Sequence, residues 1–308
     1  MGVQNKVLTD FAVGRTGRQD WAVNDILAPR VPVTRRGYEY ADFSSGVHRL
    51  EEDTAGENSP ANRVTTEETR ATGTIEQHKL SEFLTSREVK DYGDEGTLDK
   101  HRRAKIAKLD EALKLRRMIR LQTLMEATAS ISNTAASAAF GAASDDPLGD
   151  IRTLITAVHN QGGTDPNTLV FPRSVWIDWI GTTEVQGAVN GFAIPSPELM
   201  ANYFGGEGIE QILILSHSKD TSVKGQAESR SDIWASDKMW AMWLPGAAAR
   251  SELTEFDPSP FKTFVDESNM ERIDNITMED PDGEKIIEFM DYDLKLTDSS
   301  SIHMLTGA

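Results

Sequence analysis

The sequence predicts an α+β chain, and three observations carry that prediction. A basic helical stretch from about Thr97 to Ser130 directly follows roughly fifty residues of acidic, Thr-rich, weakly apolar sequence. Only after that helix does a compact alternation of helix and strand patterns begin. The C-terminal segment then reads as strands separated by turns, and residues 251–308 hold a net charge of −11 out of the chain's −17. A soluble enzyme rarely puts a long polar excursion and a long exposed helix ahead of its core. A protein built to lie against copies of itself often does.

Composition sets the outer bounds. With 308 residues the chain can form one large or two ordinary domains. Hydrophobic content of 38% and aromatic content of 7% are lean for a monomer of this size, which suggests arms and loops that order only against neighbours. There are no cysteines, so disulfides, thiolate zinc sites and a cysteine nucleophile are excluded, and the redox compartment stays open. No apolar run approaches the roughly 18 residues of a membrane span, so no membrane partner is expected. Met1–Asp20 lacks the apolar core of a signal peptide, and the chain reads as cytosolic. Net charge is +2 over residues 1–40, −7 over 41–97, +3 over 98–146 and −4 over 147–250. A sequence-reading nucleic-acid binder would be basic overall. A polyanion held close without tight binding remains compatible.

The elements follow in chain order. Residues 1–40 lack periodicity and carry Gly14, Gly17, Pro29 and Pro32 among scattered arginines, which predicts an extended arm. Trp21, Val23, Ile26 and Leu27 imply that part of it docks. From Tyr38 to about Leu80 two extended arms flank the turn-rich run Asp53-Thr-Ala-Gly-Glu-Asn-Ser-Pro60. Neither arm is apolar enough to bury a face, so the ribbon is expected on another subunit or as a surface loop. Thr85-Ser-Arg-Glu88 fits a capping box for a short helix ending before Gly93. Thr97 is placed as N-cap of the long helix, whose apolar faces are Ile106/Leu109/Leu113 and Leu115/Met118/Ile119/Met125. Nine lysines and arginines from Lys100 to Arg120 occupy the rest, either as a solvated face or against an acidic loop or packaged nucleic acid.

Ala127 to Ser144 is small-residue sequence and reads as a linker or a loose helix end. Pro147 to Asn160 reads as a helix ended by Gly162-Gly163, with Leu148, Ile151, Leu154, Ile155 and Val158 on one side. Thr168–Phe171 is a buried strand, Pro172 opens a helix through Trp176 and Trp179, and Pro197 opens another to Phe204. Ile212–Leu215 is a second buried strand, Ser216–Ser231 a polar loop, and Ile233–Ala235 with Met239–Leu244 a tight hairpin. In the C-terminal segment, Asp282-Gly283 is placed as the turn between Ile273–Met278 and Ile286–Leu296. There Met290, Tyr292, Leu294 and Leu296 alternate with Asp291, Asp293 and Lys295, a half-buried strand.

Motifs for catalysis are missing: no P-loop, no G-x-S-x-G, no H-E-x-x-H and no dinucleotide fingerprint occurs. Gly205-Gly-Glu-Gly208 precedes a strand rather than a helix, the wrong order for cradling phosphate. The six histidines show no metal-ligand spacing, and no cofactor or metal is implied. Glu279-Asp-Pro-Asp-Gly-Glu284 lacks the spaced ligands of a calcium loop and reads as a hairpin turn. Ser216-His217-Ser218 with Asp220 puts triad residue types in one loop, which leaves a soluble hydrolase as an alternative from another class.

The order of arm, acidic two-stranded loop, long helix, α/β module and strand-rich C-terminus resembles the major capsid protein of tailed bacteriophages. That fold recurs in encapsulins and herpesvirus capsid floors. The resemblance implies an N-terminal arm over 1–40, an extended β-hairpin loop over 41–92, and a peripheral domain with its spine helix over 93–146. It further implies an axial domain over 147–246 and the peripheral β-sheet over 247–308. The function implied is structural rather than enzymatic: subunits closing as hexamers and pentamers into an icosahedral shell around double-stranded DNA. An encapsulin-like compartment is the alternative with the same fold. Partners implied are the chain itself, a portal, and separate scaffolding and decoration proteins, with DNA held without sequence-specific binding. The location implied is the virion capsid, assembled in the host bacterial cytoplasm.

Arg116 and Arg117 on the helix, with Glu51, Glu52 and Asp53 in the acidic loop, are the candidate inter-subunit contacts. Three features limit the carry-over. Only about 40 residues precede the loop, too few for a fused scaffolding domain. No lysine lies between Ala41 and His78, so a covalent Lys–Asn crosslink from the loop tip is not expected. A start at Met1 argues against proteolytic removal of an N-terminal segment.

Overall fold

The computed structural model describes residues 3–4, 21–43, 69–91, 95–142, 144–189, 195–222, 226–267, 271–279 and 282–308. The predicted loop tip at 53–60 lies outside them, as do Glu51 and Glu52. The chain begins with β1 (Val3–Gln4), α1 (Ala22–Leu27), β2 (Arg30–Val33) and β3 (Gly37–Asp42). The second half of the expected arm is therefore folded, because Val23 and Leu27 bury one side of a short helix. Next come β4 (Thr69–Thr74), which shares a two-stranded sheet with β3, and β5 (Glu76–Thr85). The capping box forms as the sequence specifies. The Thr85 amide donates to Glu88 Oε2 at 2.8 Å, and the Glu88 amide donates to Thr85 Oγ1 at 3.2 Å. It opens α2 (Ser86–Asp91), and these hydrogen bonds hold the Glu88 carboxyl below its usual range. Then α3 (Glu95–Met125) runs for 31 residues, starting two residues ahead of the predicted Thr97 cap.

After β6 (Asn133–Ala135) comes α4 (Pro147–Gly162). Asp146 caps α4 by accepting from the Gly149 amide, and Pro147 occupies the first turn. Gly163 closes it in the left-handed region at φ 67°, its amide donating to the His159 carbonyl. β7 (Thr168–Pro172) follows, then α5 (Arg173–Gly181), α6 (Thr183–Ala188) and α7 (Pro197–Tyr203). The remaining elements are β8 (Gln211–Leu215), β9 (Ser218–Asp220), β10 (Arg230–Asp232), β11 (Lys238–Met242), α8 (Ala247–Arg250), β12 (Phe261–Asp266), β13 (Glu271–Glu279), β14 (Asp282–Leu296) and β15 (Ile302–Thr306).

Two compact units result. The first comprises Met1–Tyr38, Thr72–Leu124 and Lys262–Lys295. Its sheet runs β1-β13-β14-β12-β2, with β5 pairing with β14 as well. Leu98, Ile106 and Leu109 of α3 pack with Leu84, Ile273 and Ile286, covering one face of that sheet. The other face of β14 is covered too. Asp291 is buried against Arg36 at 3.2 Å, and Asp293 accepts from the Tyr38 hydroxyl at 3.0 Å. A strand expected to be half-buried is thus enclosed on both sides where the root of the arm crosses it.

The second unit comprises Glu39–Ala71, Met125–Phe261 and Leu296–Ala308. Its sheet runs β6-β15-β11-β7-β8, with β7 parallel to β8 and β6 parallel to β15. The apolar side of α4 packs on Leu169, Phe171, Met239, Ala241 and Leu305. Phe171, Trp176, Trp179 and Phe204 cluster beside it in edge-on, tilted and stacked contacts, and Trp179 Nε1 donates to the Pro147 carbonyl at 3.2 Å.

Four expectations need correction. Residues 247–308 do not form one sheet, because β15 leaves β12–β14 and pairs with β11 and β6 in the second unit. The predicted pair of Ile233–Ala235 with Met239–Leu244 does not form, since β11 takes β15 and β7 as its partners. The polar loop 216–231 contains the β9–β10 hairpin instead. The supposed linker 127–144 is tied into the unit: Phe140 enters its core, and the Ser137 amide and hydroxyl donate to the buried Asp150.

The β13–β14 hairpin is present, but Glu279 pairs with Asp282 and Met278 with Gly283, so both residues expected in the turn are strand residues of β14. Gly283 has φ 154°, and an added Cβ would sit 2.2 Å from the Leu84 carbonyl oxygen of β5. Gly283→Ala should therefore lower the unfolding midpoint, whereas Gly37→Ala, with nothing within 4 Å, should leave it nearly unchanged. Thermal denaturation of both variants beside the parent checks this.

Candidate functional site

The most chemically specific arrangement lies where α3 crosses the sheet of the first unit. The face of α3 that carries Ile106, Leu109, Leu113, Met118 and Leu121 also carries Asp110 and Arg117, all of them buried. Arg117 is only 3% exposed. Its Nη1 donates to Asp25 Oδ1 at 2.8 Å, and its Nη2 donates to Thr263 Oγ1 at 2.9 Å and to the Ala28 carbonyl at 3.3 Å. Asp25 also accepts from Arg30 Nε at 2.9 Å, and Arg30 reaches Glu271 at 3.4 Å. Burial by itself would raise the Asp25 carboxyl, but Arg117 and Arg30 hold it below its ordinary range. Burial pushes the Arg117 guanidinium down, against the pull of Asp25.

Further along α3 the same pairing repeats. Arg102 forks onto both oxygens of Glu284, with Nε to Oε2 at 2.8 Å, and these bonds hold the Glu284 carboxyl low. Lys105 donates to the Phe83 carbonyl at 2.7 Å, with Glu82 and Glu88 within 4 Å. Arg120 donates to the Tyr292 hydroxyl at 2.5 Å, and its guanidinium lies over that ring at 5.7 Å. A surface cavity of about 270 Å³ opens beside this pair, lined by Glu76, His78, Leu124, Asp293 and Leu294 among others. Much of the basic face of the helix is therefore spent inside its own unit: Arg102 and Arg120 on β14, Lys105 on β5 and α2, Arg117 on Asp25, and Arg103 and Lys114 on aspartates of the helix itself.

Arg117, taken from sequence as an inter-subunit contact, is an interior residue bonded within its own unit. Arg116, its neighbour, points away and is exposed. Glu51, Glu52 and Asp53 lie outside the described residues. The interior role of Arg117 was open to inference, because it falls four residues after Leu113 and four before Leu121. Asp110 falls on the same stripe.

The Ser216–Asp220 stretch does not assemble as a triad. Asp220 is exposed and accepts from the Ser222 amide and hydroxyl and from the Ser229 amide, which closes the β9–β10 hairpin. His217 is buried, and its carbonyl accepts from the Ile233 amide. Among the described residues no group of acidic, histidine or cysteine side chains could hold a metal ion, and no helix is long and apolar enough to cross a membrane.

No protein-family model matches the chain, and neither does any curated protein sequence. Solved structures do match it, over nearly its whole length. A phage-related protein of Bordetella bronchiseptica RB50 superposes with a TM-score of 0.74 at 15% identity, over 100% of this chain and 98% of that one. A virus-like particle from Pyrococcus furiosus gives 0.54 at 11% identity, over 97% and 95%. The mature capsid of bacteriophage PhiM1 gives 0.54 at 9% identity, over 95% and 88%. The chain has the phage major capsid fold. Of these structures, one is a virus-like particle and one a mature phage capsid. In this capsid fold the clamp around Arg117 joins the long helix to the sheet beneath it, and so has a structural duty.

The two adjacent arginines should behave oppositely. Arg117→Ala should destabilise by about 3 kcal/mol, because it breaks a buried charged hydrogen-bond set. Arg116→Ala should change stability by less than about 0.5 kcal/mol. Denaturant midpoints at constant m-value measure both.

Proposed function

We propose that the chain is the structural subunit of a capsid-type shell. It assembles as hexamers and pentamers into an icosahedral particle enclosing double-stranded DNA. The observation that supports this most is the full-length superposition on a phage-related protein together with two shell components, since the match spans every segment rather than one module. Lean hydrophobic content fits a subunit whose remaining stability comes from the lattice, where partner binding adds to folding free energy. The formal charge of −17 fits a wall that lies near packed DNA without adhering to it, since phosphate contacts require cations.

In this reading the partners are further copies of the chain, a portal, and separate scaffolding and decoration proteins. The particle forms in the bacterial cytoplasm and the subunit ends in the virion capsid. The segments would serve as arm, extended loop, peripheral domain and axial domain. Residues 247–308 would be shared, because β15 joins the second unit. Arg116 is the cation of the original candidate pair that is free of an interior role, and it would meet the acidic loop with Glu51, Glu52 and Asp53 from a neighbouring copy.

Expression of the chain with and without its scaffolding protein, followed by sedimentation and negative-stain microscopy, tests the reading. Closed shells or ring-shaped capsomers are expected. A discrete small oligomer under both conditions would overturn it, and shells filled with a protein cargo would move the reading to an encapsulin-like compartment. Arg116→Glu should reduce shell yield while leaving the monomer's unfolding midpoint intact; unchanged yield would remove Arg116 from the contact.

A further inference from the structure

A carboxyl group that the clamp does not use is buried in the same seam. Glu288 of β14 is 2% exposed, and its Oε2 has no hydrogen-bond partner. From α3 it is faced by Asp110, itself buried, and by Lys114. The Lys114 ammonium is already committed, at 2.9 and 3.1 Å from the two oxygens of Asp110. From β13 it is faced by Glu271, which pairs with Arg30, while the residue directly across is the apolar Ile273. On β5 the residue across is Leu80, with His78 and Glu82 two positions to either side. Three carboxyl groups thus converge on a buried seam in which each nearby cation already has a partner.

We propose that Glu288 is a proton-held latch between α3 and β14: carrying a proton it lets the helix lie on the strand, and on losing it the seam loosens. The first unit therefore tightens on acidification and slackens as the medium turns alkaline. Burial, then the charges of Asp110 and Glu271, push the Glu288 carboxyl up to about 8, and Lys114 offsets only part of this. Between the ordinary carboxylate range and that value the folded chain retains a proton that the unfolded chain releases. Stability is therefore full at low pH, falls as pH rises through this window and levels off above it. Asp25 has the opposite sign, because its depressed carboxyl contributes stability that is lost as pH falls through its folded value. The two effects occupy different windows. The latch belongs to the folded chain itself and does not rest on the shell reading.

Unfolding of the purified full chain and of Glu288→Gln, followed between about pH 5 and about pH 9, tests the latch. The parent's unfolding constant should rise relative to the variant's by on the order of a hundred- to a thousandfold across that window. At neutral pH the parent should show an infrared band of a protonated carboxyl that the variant lacks. Parallel pH profiles, or the same band in both proteins, would overturn the proposal. Should Glu288→Gln fail to fold, Asp110→Asn provides the second arm. Removing that neighbouring charge should move the parent's pH-dependent loss to lower pH, and an unmoved profile would count against the latch.

Discussion

Burying a guanidinium under a helix is unfavourable unless its geometry and partners are nearly complete, and Arg117 meets that condition. It loses water on entering the seam, and regains a carboxylate, a hydroxyl and a carbonyl from three separate stretches of chain. Asp25 comes from α1, Ala28 from the turn before β2, and Thr263 from β12. Each partner must be in place before the cation is satisfied, so the clamp forms only when arm, helix and sheet have converged. A purely apolar stripe could slide by a helical turn at modest cost, because Leu and Ile contacts are interchangeable. A fixed set of hydrogen bonds to one guanidinium does not allow that displacement, so the clamp sets the register of α3 on the sheet.

The same logic accounts for the uneven charge along the chain. A basic helix could mean a free charged surface, but here several of its cations are met by acceptors from α1, β5, α2 and β14 inside one packing interface. Along α3 come Arg102 with Glu284 of β14, Lys105 with Glu82 of β5 and Glu88 of α2, and Arg120 with Tyr292 of β14. Glu288 is the exception that gives this interface a chemical sensitivity. It is a carboxyl placed among carboxyls, at a point where the nearest lysine already belongs to Asp110. An interface made of charges can hold a protonation-dependent element that an apolar one cannot.

What could be read in the sequence was local. The Thr85–Glu88 box, the proline and glycine bounds of α4, the buried run at Thr168 and the β13–β14 hairpin all depend on residues a few positions apart. What escaped was the choice of partner across long separations. Reading the C-terminal segment as strands and turns does not say that Ile302–Thr306 pairs with Lys238–Met242 rather than with the strand before it. Likewise the hydrophobic run at 239–242 identified a strand but not its neighbours. At the candidate site, Arg117 was misplaced because arginine on a long polar helix is ordinarily solvated, and the counter-charge that buries it sits 92 residues away. Its position between Leu113 and Leu121 was the available clue.

The topology carries a further consequence. In the second unit β15 is an inner strand, between β6 and β11, although it is made of nearly the last residues of the chain. In the first unit β14 is likewise central, flanked by β13 and β5, and it also comes late. Each sheet therefore has an inner strand supplied by the C-terminal segment, paired with a strand from a much earlier stretch: β15 with β6, and β14 with β5. Contacts of such long separation form slowly, because loop closure must precede the pairing that rewards it. Until they form, Glu76–Thr85 and Asn133–Ala135 are strands without the neighbours that order them here.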